Sequence, residues 1–216
     1  VSFTPTAAPR GLFGGGFVSG STELVTIDYV TISSTGNATD FGDLTVGRDS
    51  ISSGSSETRG VFAGGYNGAA VGLRDTVDYV TIASTGDGTD FGDLSSRSSN
   101  GAGASNSTRL LIALGSFASA LDTIDYFTIS SPGNATDFGN LTAARNNLAA
   151  VSSSTRAAFG AGNTGSAQVN TIDYVTIGST GNASDFGDLT QAGDRPASCS
   201  SSTRGLWAGR IHGSTR

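Results

Sequence analysis

Apolar and polar side chains alternate in short runs along this chain, and no run keeps a 3.6-residue spacing long enough for a helix. The clearest run is Thr26-Ile27-Asp28-Tyr29-Val30-Thr31-Ile32, rich in β-branched and aromatic residues that suit a pleated strand. Ile27 and Tyr29 share one face of that strand; Asp28, Val30 and Ile32 share the other. Both faces are mainly apolar, so a sheet built from it is expected to be covered on both sides. The pattern predicts an all-β protein, with strands over Gly11 to Gly16, Leu24 to Ile32, Ala38 to Thr45 and Ser50 to Ser56. Residues 17–24 read as a loop, and Ser-Thr-Gly-Asn at 34–37 reads as a tight turn.

The series then recurs. The Ile-Asp-Tyr run and the Thr-Asp-Phe-Gly-Asp-Leu run after it return at Thr76 to Leu94, Thr123 to Leu141 and Thr171 to Leu189. The glycine-rich strand opens on Arg10, Arg59, Arg109, Arg156 and Arg204, which lie 49, 50, 47 and 48 residues apart. A fixed period of this size marks an array of small units with a continuous core. Residues 1–9 match no other copy and form a lead-in. Residues 10–210 form a single domain of four repeats plus a terminal partial repeat, and residues 211–216 form a tail.

Composition removes several function classes. The formal charge is −6 and all twelve basic residues are Arg, which argues against a basic stripe for nucleic acid. No apolar run approaches the ~20 residues of a membrane helix, so no membrane insertion is expected. Val1-Ser2-Phe3-Thr4-Pro5 shows no charged segment leading into an apolar core, so no signal peptide is visible. The one Cys, Cys199, has Gly54, Ala104 and Val151 as counterparts and reads as a small buried residue. The one His, His212, reads as an exposed terminal residue and supports no Ser-His-Asp triad.

Asp28, Asp78, Asp125 and Asp173 recur in strand phase with Val and Ile, which predicts burial. A buried carboxylate needs a hydrogen-bonding or cationic partner. The repeated Arg59, Arg109, Arg156 and Arg204 are candidate partners, which makes these Asp residues structural rather than catalytic. Asp40 and Asp43 with their copies could gather calcium, but Asn140 breaks the series and no calcium-loop pattern is present. No metal and no cofactor is expected. Asp40-Phe41-Gly42 lacks the lysine and catalytic loop of a kinase, and the glycine runs open no helix for a dinucleotide. Asn37, Asn134 and Asn182 read as turn residues. The loops after the glycine strands vary between copies, and a binding surface is expected there. Its candidates are Tyr66, Asn67, Arg74, Asp75, Phe117 and Asn163.

With these residues in place the repeat resembles the kelch repeat. Gly64-Gly65-Tyr66 stands where a kelch unit has its double glycine, Tyr79 lies in the third strand, Phe91 takes the usual Trp position and Arg97 precedes the next first strand. The resemblance spans about residues 10–210. It departs at Ala113-Leu114-Gly115, and in Phe replacing Trp throughout. It implies a β-propeller of four-stranded antiparallel blades, either four blades or five with one incomplete. In a four-bladed ring the small-residue strand at 197–202 completes the blade begun at Arg10, which leaves one glycine strand spare. The near-identical Ile-Asp-Tyr-Val-Thr-Ile and Thr-Asp-Phe-Gly-Asp-Leu blocks also resemble repeats in structural proteins of marine bacteriophages. That resemblance implies a non-enzymatic structural or adhesive module of a phage particle, in a fibre or surface appendage, with a virion or extracellular location. Such a module would act through its variable loops or through self-association of the spare edge strand. The alternative is a carbohydrate-binding propeller with one shallow site per blade. The implied partner is then a cell-surface glycan or protein receptor.

Overall fold

The computed structural model describes residues 9–18, 22–68, 72–116 and 119–211. Among them every regular element is a strand. The first repeat holds β1 (Arg10–Gly14), β2 (Phe17–Val18), β3 (Thr22–Glu23), β4 (Thr26–Thr31) and β5 (Thr39–Asp43). The second holds β6 (Ser52–Ser55), β7 (Arg59–Ala63), β8 (Tyr66–Asn67), β9 (Gly72–Thr81) and β10 (Thr89–Ser98). The third holds β11 (Ala102–Ser105), β12 (Arg109–Ala113), β13 (Leu121–Thr128) and β14 (Thr136–Arg145). The fourth holds β15 (Ala149–Ser152), β16 (Arg156–Gly160), β17 (Thr171–Thr176) and β18 (Ser184–Asp188), and β19 (Ala197–Ser200) and β20 (Gly205–Ala208) follow.

Each repeat is one antiparallel sheet. Strand orders are β1-β4-β5, β6-β7-β9-β10, β11-β12-β13-β14 and β15-β16-β17-β18, with β8 adding to β9. Residues 17–24 are not a plain loop: Phe17 pairs with Glu23 and Val18 with Thr22 in a short hairpin. The β-branched Val18 favours the extended backbone of its strand. The pairing expected between the C-terminal small-residue strand and the first glycine strand is not made. β19 pairs with β20, and β1 remains an edge strand of the first sheet.

The sheets pack face to face in chain order. Along one edge the small-residue strands β6, β11, β15 and β19 lie side by side. Ser105 Oγ donates to Ser55 O at 2.9 Å, Ser152 Oγ to Ser105 O at 2.8 Å and Ser200 Oγ to Ser152 O at 3.0 Å. At the other edge the Ser-Thr-Gly or Ser-Pro-Gly turn of the second, third and fourth repeats sits on the preceding sheet. Gly86 N donates to Phe41 O at 2.7 Å, Gly133 N to Phe91 O at 2.6 Å and Gly181 N to Phe138 O at 2.7 Å.

This close approach explains the glycine after Phe41, Phe91 and Phe138. Gly92 has φ +138°, and a Cβ there would stand 2.5 Å from the Gly133 backbone. Gly187 closes the same motif at φ +128° with nothing within 4 Å of a Cβ. Gly92→Ala is therefore expected to cost roughly 2–4 kcal/mol in urea unfolding, and Gly187→Ala roughly 1 kcal/mol, since only the backbone strain is common to both. Equal costs would contradict the turn-on-sheet contact.

The core lies between sheets rather than within one. Phe41 and Leu44 pack with Phe62 and Val80. Phe91 and Leu94 pack with Ile112, Phe127 and Ile129. Phe138 and Leu141 pack with Phe159, Val175 and Ile177. Burial on both faces is what the strand phase predicts, and it makes each sheet depend on its neighbours. No helix among the described residues is long and apolar enough to cross a membrane.

Candidate functional site

The buried polar residues gather where one sheet meets the next. Asp78, Asp125 and Asp173 are fully buried. Asp28 is exposed, because among the described residues no sheet lies before the first. Asp78 accepts from Thr45 N at 3.0 Å, Thr45 Oγ1 at 2.7 Å and Arg48 Nη2 at 3.0 Å. Asp173 repeats the set with Thr142 N at 3.0 Å, Thr142 Oγ1 at 2.6 Å and Arg145 Nη2 at 3.1 Å. Arg48 and Arg145 are themselves fully buried and also donate to Phe62 O and Phe159 O. Burial pulls their pKa down, and the facing carboxylate opposes that pull.

The expected pairing of these Asp residues with the repeat-opening arginines is corrected here. Arg59, Arg109 and Arg156 lie over the rings of Tyr79, Tyr126 and Tyr174, at 4.6, 4.8 and 4.8 Å from their centroids. Arg59 Nη1 donates to Ile129 O and Arg109 Nη1 to Ile177 O in the following sheet. These arginines start a strand at the turn end of the sheet, so an aromatic face and a carbonyl are what lies within reach. Arg204 is exposed ahead of β20.

Asp125 differs. Ser98 stands where the neighbouring junctions have Arg48 and Arg145, and Asp125 accepts from Ser95 N at 2.8 Å and Ser95 Oγ at 2.7 Å. Leu114, fully buried in the cluster of this junction, stands where the other repeats have Gly64 and Ala161. Burial pushes the Asp125 carboxyl up, against the two Ser95 donors. The folded chain thus holds that proton more tightly than the unfolded chain. The resulting stability is complete below the ordinary value of 3.8 and is lost as pH rises through the raised folded value. Asp125→Asn keeps both partners, with Nδ2 donating to Ser95 Oγ and Oδ1 accepting from Ser95 N. At pH 7 it is expected to match or exceed the parent's stability, whereas Asp173→Asn loses about 3 kcal/mol by stranding Arg145. Thermal melts at pH 4 and pH 7 check both signs.

The variable loops form a second surface. Main-chain bridges join Asp49 with Tyr66, Asn146 with Asn163 and Asp194 with Ile211. Tyr66 is exposed, while Asn67 Nδ2 donates to Gly47 O at 2.6 Å. Arg74 is half-buried, and Asp75 lies 3.8 Å from Arg97 in an exposed pair. These four residues share β8 and the start of β9. Asn163 belongs to the fourth repeat, outside its sheet, and its Oδ1 accepts from Gly165 N at 2.7 Å. Phe117 and His212 lie outside the described residues. Among the described residues no group of three His, Cys, Asp or Glu side chains is placed to hold a metal ion.

Two shallow clefts lie on the opposite, near-invariant turn face. One of about 400 Å³ is lined by Phe91, Tyr126, Ser131, Gly133, Asn134 and Thr136. Its counterpart of about 150 Å³ is lined by Tyr79, Ser84, Thr85, Gly86, Asp87 and Thr89. Sequence reasoning passed over these positions because it sought binding where copies differ. The signal was the Tyr of each third strand recurring a fixed distance before the turn Asn or Asp.

Among the described residues the array has two open ends. Phe41, Phe91 and Phe138 are each 2% exposed, but Phe186 of the same motif is 57% exposed. At the other end Phe13 and Ile32 are 62% and 67% exposed. Cys199, expected to be buried, is exposed in β19, since no further sheet covers it among the described residues. No family model matches this chain, and no curated protein matches it.

Proposed function

We propose that this chain is an arc of a kelch-like propeller that serves as a non-enzymatic structural or adhesive module of a phage particle, in a fibre or surface appendage. The observation that carries the reading is where the buried polar groups go. Asp78, Asp125 and Asp173 each accept from the preceding sheet, so the carboxylates best suited to chemistry are occupied in holding the array together. The side-by-side small-residue strands suit a narrow propeller axis. Four blades require the last strands to complete the first sheet; five leave one blade incomplete. The phage assignment rests on the resemblance of the repeated blocks. Virion structural genes on either side of its gene are the expected finding, and flanking genes for metabolic enzymes would contradict it.

The repeated turn-face clefts favour a second reading, a lectin-like module with one shallow site per repeat. Each cleft joins a Tyr to Ser, Thr and Asn or Asp groups, which is the chemistry that grips a sugar. A glycan array distinguishes the two readings. The structural reading expects no competable signal; saturable binding competed by free sugar would replace it with the lectin reading.

A further inference from the structure

The two open ends carry complementary halves of the junction that joins the sheets, and we infer that a second copy of this chain docks there head to tail. The junction occurs three times, which shows what covers such an end: another repeat of this sequence.

Its bonds recur at each occurrence. A strand-opening Arg donates to an Ile carbonyl, as Arg10 Nη1 does to Ile82 O, Arg59 Nη1 to Ile129 O and Arg109 Nη1 to Ile177 O. A Thr or Ser after the Phe-Gly motif donates twice to the next Asp. The turn returns two main-chain donors, as Gly133 N to Phe91 O and Ala135 N to Asp93 O. An Asn or Asp in that turn accepts from the preceding strand, as Asn134 Oδ1 does from Asp93 N at 3.1 Å.

The C-terminal end presents the first half of this set in Arg156, Phe186, Asp188 and Thr190. The N-terminal end presents the second half in Asp28, Ile32, Gly36, Asn37 and Ala38. Phe186 would gain the cover that Phe138 receives from Phe159, Val175 and Ile177, here supplied by Phe13, Val30 and Ile32. The buried Asp of the junction would be Asp28, with Thr190 in the role of Thr142.

One strand must yield. β1 of the incoming copy and β20 both belong between β19 and β4. β1 is paired along its length with β4, and Arg10 ties its sheet to the next, whereas β20 pairs as a strand with β19 alone and is tied to the fourth sheet by Trp207 Nε1 donating to Ala149 O at 3.2 Å. β20 therefore gives way, and Phe13 takes the place of Trp207 over Gly160. The composite sheet is β19 of one copy with β1, β4 and β5 of the next.

The inference takes up the self-association expected of the spare edge strand and uses neither the phage nor the sugar assignment, so the readings fail separately. The test is mass by light scattering over a concentration series of the full chain. The parent is expected to grow in mass with concentration. Phe186→Glu and Asp28→Arg alter exposed side chains, so both should fold, and each should lose self-association. Mixed together they should form dimers and nothing larger, because each retains one sound end. A parent that stays monomeric throughout, as it would if its own ends closed a ring, overturns the inference. So do oligomers unchanged by both substitutions, or a mixture that stays monomeric.

Discussion

Phe138→Ala is expected to lower stability by about 3–5 kcal/mol, and Phe186→Ala by less than about 1 kcal/mol. The two residues occupy the same place in the same motif, and each meets a Tyr ring edge-on, Tyr126 at 5.9 Å and Tyr174 at 5.8 Å. They differ in what lies beyond. Phe138 packs in a closed cluster with Phe159, Val175 and Ile177 of the following sheet, while Phe186 has no such cover. Truncating Phe138 removes the transfer energy of a ring and leaves a cavity that two sheets cannot both collapse to fill. Truncating Phe186 returns to water a side chain already largely in it. Urea unfolding followed by circular dichroism, at concentrations too low for association, measures the pair. Similar losses would mean that the fourth sheet is covered in solution.

Arg145→Ala is expected to cost about 3–5 kcal/mol, because it leaves Asp173 buried without a cation and takes away one donor to Phe159 O. The guanidinium's own contribution is smaller than that loss suggests, since bringing two charges out of water offsets much of their attraction. Arg145→Ala with Asp173→Asn is therefore expected to regain a substantial part of the loss. The middle junction joins its sheets without this arginine, with Ser98 in its place, Leu114 buried and Asp125 held by Ser95. A double variant no more stable than Arg145→Ala alone would assign the cost to packing rather than charge.

Much of this was readable in the chain. Strand phase placed Asp78, Asp125 and Asp173 in the core, because alternation along a strand is a local property. The turn asparagines were visible for the same reason, although the acceptor role of Asn134 and Asn182 toward the preceding sheet was not. The identity of the Asp partner was hidden by the repeat itself. Arg48 and Arg145 occur at two junctions, with Ser98 and Gly193 at the corresponding positions, while Arg59 and its copies recur everywhere and drew the assignment. A residue repeated in every copy need not be the one that reaches across the junction. The glycine after Phe41, Phe91 and Phe138 was unreadable because its constraint comes from a backbone about 40 residues away, in the next sheet. The open ends are likewise a property of how sheets are stacked, which no local pattern records.

The most direct test is hydrogen exchange at the glycines of the four equivalent turns, in Phe186→Glu so that the ends stay free. The amides of Gly86, Gly133 and Gly181 are bonded to the preceding sheet and are expected to exchange slowly, while Gly36, in the first repeat, exchanges at near-unprotected rates. Four turns exchanging alike would contradict sheets joined by this junction.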